Sequence, residues 1–343
     1  MSSLQFSNQP LSINQGGTGL MGTGQQSIVI KLGVDVGNGF VKTNGRRFPS
    51  AAKLHNMGKA GKRAEGHHQV ALNGELWEVG NGSKFIRNRR WATEQYKVCL
   101  LTAIAMEAKH RGINANNIIA DVCVGLPQDL HKKEDVVADL RETVLSWGKC
   151  NVQVDNDIEG GINANYDITI RKCLVFCEGA ICLLTGDMSK TLTVDIGAGT
   201  LNAVLWENGA ILAEETTKTG AQSVFTLIKD QMATKYGTTL EQHEIEKIIM
   251  SGQYSTYLNN SQTPTDLSAD FHRWIGLAVD DMFNKMSENK NFNYDTIQKI
   301  QFLGGGSTFT FSYWQDIFEE KAVLIDNAQY INSQVYEAVI NHA

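Results

Sequence analysis

The stretch Ile28-Val29-Ile30-Lys31-Leu32-Gly33-Val34-Asp35-Val36-Gly37-Asn38-Gly39-Phe40-Val41-Lys42 reads as a strand, a tight turn and an outgoing strand. Its first part is apolar and β-branched, as a buried strand requires, and the turn carries a glycine on either side of Asn38. The pattern returns 160 residues later as Thr191 to Val194, then Asp195-Ile196-Gly197-Ala198-Gly199, then Thr200 to Trp206. Val, Asp, Gly and Gly recur in step. That spacing is too long for a solenoid period and predicts two lobes, each opened by the same hairpin.

Working outward, helices are expected over Ala92 to His110, with Tyr96, Cys99, Leu100, Ala103 and Ile104 on one stripe, and over Leu267 to Met286, with Phe271, Trp274, Ile275, Val279 and Met282 on another. Strands are expected at Ile118 to Val124 and Ile300 to Leu303, and Lys172 to Phe176 is expected to lead into a helix at Ala180. Strands alternating with helices give an α/β fold. The boundaries expected are an N-terminal arm at 1–27, a first lobe at 28–189 with an insertion at 44–82, and a second lobe at 190–326 with a mostly helical insertion at about 219–294. A C-terminal helix at 327–343 is expected to complete the first lobe.

With 31 basic against 37 acidic residues and a net charge of -6, there is no cationic excess of the kind that neutralises a phosphate backbone, so direct nucleic-acid binding is not expected. The six cysteines form no CxxC pair and read as buried, reduced thiols of a cytosolic protein. The Gly- and Gln-rich arm has neither the basic nor the apolar segment of a secretory signal, and its GGTG run follows no strand, so it is expected to be disordered. No segment approaches the roughly 18 apolar residues of a membrane span. A cytoplasmic protein without membrane contact is the expectation. His67-His68 has no acid or cysteine at ligand spacing and reads as a solvated loop.

Glycines flanking a turn let backbone N–H groups close around an anion, and two such turns facing each other make a clamp for phosphates. Asp35 and Asp195, each at the end of its strand, would repel those phosphates unless a divalent cation stood between, which implies Mg²⁺ held largely through water. Lys42 on the outgoing strand is either a phosphate-neutralising charge or an ordinary exposed strand lysine. A third element, Phe302-Leu303-Gly304-Gly305-Gly306-Ser307, begins its glycines 109 residues after Asp195 and offers side-chain-free backbone for a flat base or its ribose.

Taken together these motifs resemble the actin-like ATPases, and among them the bacterial plasmid-segregation actins of the ParM type. The likeness runs over nearly the whole chain beyond Ser27. Asp35 to Lys42 resembles the first phosphate motif, Asp195 to Thr200 the second, with Gly197, Ala198 and Gly199 at its turn, and Leu303 to Ser307 the adenosine motif. Val124-Gly125-Leu126-Pro127 and Leu72 to Gly80 resemble a turn and a first-lobe insertion of the plasmid actins.

The resemblance implies a two-lobed actin-like, ribonuclease H-like α/β fold with ATP, or alternatively GTP, and Mg²⁺ in the cleft between the lobes. It implies Glu178 as the residue that aligns the attacking water, Glu244 and Lys247 as an ExxK contact to ribose and base, and Thr219-Gly220 as a helix N-terminus approaching the nucleotide. It also implies self-assembly into filaments, an ATPase cycle that takes them apart, and a DNA-bound adaptor in plasmid partition. Two other functions share the fold. A sugar kinase would need an aspartate base, for which Asp157 stands 38 residues before Asp195. A chaperone of this superfamily would need a peptide-binding domain, and the chain ends soon after the triple glycine.

Overall fold

The computed structural model describes residues 27–55, 66–84, 89–155, 163–259 and 261–343. The arm expected at 1–27 lies outside them apart from Ser27, and so does Asp157.

The sequence duplication is a duplication of topology. In the first lobe the strand Ser27–Val36 turns antiparallel onto Phe40–Thr43, which pairs with Arg46–Pro49. On its other side it runs parallel to Asn117–Leu126, which runs parallel to Ala164–Cys177. In the second lobe Thr191–Ile196 turns onto Leu201–Glu207 and then Ala210–Thr217, and on its other side runs parallel to Lys299–Leu303 and Ala322–Leu324. Both are a three-strand meander followed by two parallel strands, in the same spatial order. This is the α/β, two-lobed architecture the hairpin echo predicts. Arg46–Pro49, inside the stretch expected as an insertion, is the third strand of the repeated unit.

Parallel strands are covered on both faces, so their sequences read as nearly unbroken apolar runs. All six residues of Thr191–Ile196 are buried, as are the last seven of Asn117–Leu126. Five more strands extend the first-lobe sheet beyond Ala164–Cys177: Lys149–Asp155, His68–Leu72, Glu75–Val79, Ala51–Leu54 and Ser83–Lys84. They explain why Glu94–His110, expected to bury a single stripe, is buried almost continuously from Tyr96 to Ala108. The helix is packed between the core strands and the added ones. Its start is set by Thr93, whose hydroxyl accepts the Tyr96 N–H. Ser268–Ser287 buries the expected stripe of Phe271, Trp274, Ile275, Val279 and Met282 against the second-lobe core.

Three local expectations are corrected. His68 is not in a solvated loop: it is a strand residue, buried edge-on to Phe48, and burial pulls its imidazole down to about 4. The strand expected at Lys172 to Phe176 begins at Ala164, with an irregularity between Ile170 and Lys172. The helix expected at Ala180 is a single turn, Cys182–Thr185, which the left-handed Gly186 ends. All six cysteines are free and buried. No helix among the described residues is long and apolar enough to cross a membrane.

The C-terminal helix Ile331–His342 follows the last second-lobe strand, yet packs on the first-lobe strands Ser27–Val36 and Asn117–Leu126. Gly33 makes this contact possible, since a Cβ there would stand 2.1 Å from the Ser333 carbonyl oxygen and 2.4 Å from the Glu337 nitrogen. Backbone cannot yield as a side chain does. Gly33→Ala is therefore expected to destabilise the protein by about 2–3 kcal/mol, the upper range for an overpacked core, and chemical denaturation compared with wild type measures it.

Candidate functional site

A cavity of about 300 Å³ lies where the two hairpin turns meet. Each turn is closed by the same bond: Gly37 N–H donates to the Phe40 carbonyl at 3.1 Å and Gly197 N–H to the Thr200 carbonyl at 2.9 Å. The turns approach so closely that a Cβ on Gly39 would stand 2.7 Å from that of Ala198. Gly37, Asn38 and Gly39 line the cavity from one lobe; Gly197, Ala198 and Thr200 line it from the other. Gly199 stands across from Asn38, outside the lining.

Three carboxylates converge on this cavity and all are nearly sequestered from solvent: Asp35 at 4% exposure, Asp195 at 5% and Glu178 at 8%. Such burial requires partners. Lys42 Nζ donates to Asp35 Oδ2 at 2.9 Å. Asn332 Nδ2 donates to Asp195 Oδ2 at 2.6 Å, and Asn332 Oδ1 accepts the Gly179 N–H at 3.1 Å. Asn202 Nδ2 donates to Glu178 Oε2 at 2.8 Å, while its own Oδ1 accepts from the Thr216 hydroxyl at 3.0 Å. Glu178 reaches the cavity because its backbone N–H is tied to the Leu126 carbonyl at the neighbouring strand end, beside the cavity-lining Pro127.

Oδ1 of Asp35 and of Asp195 takes part in no hydrogen bond among the described residues. Nor do any three acidic, histidine or cysteine side chains there form a metal-binding cluster. Two open carboxylate oxygens without a closed cage fit a cation that keeps most of its water, as Mg²⁺ does.

The other sequence-predicted residues divide. Gly305 and Gly306 line the cavity. Gly304 serves Asp195: its backbone has φ +83° and a Cβ there would stand 2.3 Å from Asp195 Oδ1, so only glycine leaves room for the carboxylate. Ser307 faces away, its buried hydroxyl donating to the Leu303 carbonyl at 2.5 Å. The helix after Gly220 does not offer its N-terminus to a ligand, because the Ala221 and Gln222 N–H groups donate to the Gly197 and Ala198 carbonyls at 2.9 and 2.8 Å. It braces the second turn from beneath.

On the helix Gln242–Ser251, the expected contacts Glu244 and Lys247 both lie outside the cavity. Glu244 folds back to accept the Glu241 N–H at 2.7 Å, a capping role, and Lys247 is exposed. Gln242, Glu246 and Met250, four residues apart and hence on one face, line the cavity in their place. Met250 with Phe225 and Phe309, the two rings stacked at 5.6 Å between centroids, makes an apolar end of the cavity, beside which Gln242 and Glu246 are polar.

Asn202, Asn332, Arg90 and Gln329 are lining residues that sequence reading missed. For Asn202 the signal was present: it stands 160 residues after Lys42, and each pairs across its hairpin with the turn aspartate. Asn332 had none, since only tertiary docking of the C-terminal helix delivers it.

Burial, reinforced by the charges of Asp35 and Asp195, pushes Glu178 up to about 8 against an ordinary value of 4.5; Arg90 and Lys42 oppose the rise. Burial also raises Asp195, although Lys42 and Asn332 pull the other way. Burial favours a neutral Lys42, but Asp35 and Asp195 outweigh it and hold the lysine charged. Between about 4.5 and 8 the folded protein thus keeps a Glu178 proton that the unfolded chain has lost, so stability falls as pH rises through that window. Melting temperatures of the nucleotide-free protein from pH 5 to 9 are expected to show this decline. Glu178→Gln is expected to flatten it, matching wild type at the acid end and exceeding it at the alkaline end.

Comparisons with known proteins bear on the fold. Residues 33–180 match the family described as the actin like proteins N terminal domain. No curated protein matches the chain in sequence. Among solved structures, apo pSK41 ParM shares 16% identity at a TM-score of 0.66, covering 92% of this chain and 97% of its own. Ta0583, an archaeal actin homolog, shares 15% at 0.70, covering 92% and 100%. A 15-stranded ParM filament from Clostridium botulinum shares 15% at 0.68, covering 91% and 99%. The chain has the actin-like fold, and its first lobe matches the N-terminal domain of the actin-like proteins.

Proposed function

We propose that this protein is an actin-like ATPase that binds ATP and Mg²⁺ between its lobes, assembles into filaments in that state and disassembles after hydrolysis. The observation that carries the reading is the pair of glycine turns closed face to face around three buried carboxylates. The turn amides and Lys42 bind phosphates, the apolar end holds the base, and Gly305 and Gly306 pass along it. Asp35 and Asp195 hold the hydrated Mg²⁺, which supplies positive charge against the phosphates. Glu178, fixed by Asn202, orients a water and accepts its proton, in keeping with a phosphoryl transfer governed by positioning.

Self-assembly is supported by the shared fold, since the Clostridium botulinum ParM and Alp12 relatives were solved as filaments. A head-to-tail contact whose rotation does not close yields an open polymer, and lobe closure around nucleotide is the switch that would make or break it. By the same likeness a DNA-bound adaptor engages the filament in plasmid partition, and the protein itself makes no direct DNA contact.

Light scattering and phosphate release after adding ATP and Mg²⁺ test this together. The expected result is polymer formation followed by phosphate release; steady release with no polymer at high protein concentration would sink the filament reading. Phosphate transfer to a sugar would establish a kinase. Glu178→Ala is expected to assemble normally and release phosphate about 100-fold more slowly, the usual scale for a lost general base. Asp195→Ala is expected to lose Mg²⁺-dependent nucleotide binding or turnover, read by titration with and without the metal.

A further inference from the structure

Arg90 lines the cavity, yet none of the motifs above accounts for it. Its NH1 donates to Asn38 Oδ1 at 2.8 Å, at the apex of the first turn between Gly37 and Gly39. The cavity's other cations are differently placed. Lys42 is matched by Asp35 at 2.9 Å, and Arg47 is exposed with its guanidinium 4.8 Å above the Phe40 ring. Arg90 has only a neutral amide, and no carboxylate partner among the described residues. Four of its five N–H donors are left for something else.

The neighbouring residues explain why it points inward. Arg89 and Trp91 both bind Asp139 on the helix Glu134–Leu145. Arg89 does so through a two-pronged ion pair, with Nε donating at 2.7 Å, and Trp91 Nε1 donates to the same carboxylate at 2.7 Å. Arg89 adopts a left-handed backbone, φ 59°, a conformation an arginine rarely takes without compensation. Thr93 Oγ1 then donates to the Arg90 carbonyl at 2.7 Å. The residues on either side of Arg90 are thus anchored outward, and its own side chain extends over the first turn.

Resting on the ATPase reading above, we propose that Arg90 is a catalytic residue whose guanidinium binds the terminal phosphoryl group of the bound nucleoside triphosphate. As the water oxygen bonds to phosphorus, the bond to the β–γ bridging oxygen breaks, the leaving diphosphate keeps its electron pair, and the proton passes to Glu178. The planar fork of Arg90 meets the charge on the peripheral oxygens. Arg90 and Glu178 line the same cavity, which puts the charge and the proposed proton acceptor on one bound group.

The test compares a non-hydrolysable ATP analogue with ADP, by calorimetric titration in Mg²⁺, on wild type and Arg90→Gln. The variant is expected to lose about 10-fold in affinity for the analogue with little change for ADP, and about 1,000-fold in phosphate release, on the scale of arginine contacts to a transferring phosphoryl. Arg90→Lys restores little, because a point charge does not replace the fork, and it carries the same comparison should Arg90→Gln fail to fold. Arg89→Ala, which frees Arg90 from its anchor, is expected to fall between. Equal losses for analogue and ADP, or no loss for either, would overturn the assignment while leaving the ATPase reading intact. A wild-type protein that binds neither ligand overturns both.

Discussion

Three buried carboxylates line one cavity, and the rest of the site is arranged around that cost. Like charges in a medium of low dielectric resist ionising together, so each acid must be paired, kept protonated or supplied with a cation. Lys42 answers for Asp35, Asn332 for Asp195 and Asn202 for Glu178. These three partners come from a hairpin in each lobe and from the C-terminal helix, so the electrostatics of one small volume depend on the whole tertiary arrangement.

The two hairpins share their topology and differ tellingly at one position among several. Lys42 and Asn202 occupy equivalent places opposite their turn aspartates. In the first lobe the position carries charge and neutralises its own aspartate. In the second it carries an amide, which turns to Glu178 instead and is itself held by Thr216. A lysine at both positions would pair Glu178 with a cation and oppose the burial and like charges that raise its proton affinity. The asymmetry between amide and ammonium thus ties one half of the duplicated unit to its own aspartate and the other to Glu178.

The fold was legible because its signal is local and repeated. Strand, glycine turn and strand leave the same trace twice, and the apolar runs of the central strands follow from burial on both faces. What could not be read was set by packing at a distance. The added first-lobe strands converted an amphipathic-looking helix into a buried one and carried His68 into the interior. Glu244 and Lys247 matched a pattern of residue types, but which face of a short helix meets the cavity depends on rotation about its axis, and Gln242, Glu246 and Met250 hold that face. Gly304 and Gly220 each leave room for a close approach within the protein, to a carboxylate and to backbone respectively, which residue type alone does not specify.

The C-terminal helix has a mechanical meaning beyond its contribution to burial. The chain passes between the lobes twice, once from Cys177 to Thr191 and again from Leu324 to Ile331. Two crossings work like paired pins in a door frame: they forbid the lobes to slide or twist freely and leave rotation about the line joining them. Asn332 spans both pins, holding Gly179 on the first and Asp195 beside the second. A swing of one lobe would be registered at that amide as a change in the hydrogen bonds to a buried cavity carboxylate, so the axis of motion and the cavity meet in one side chain.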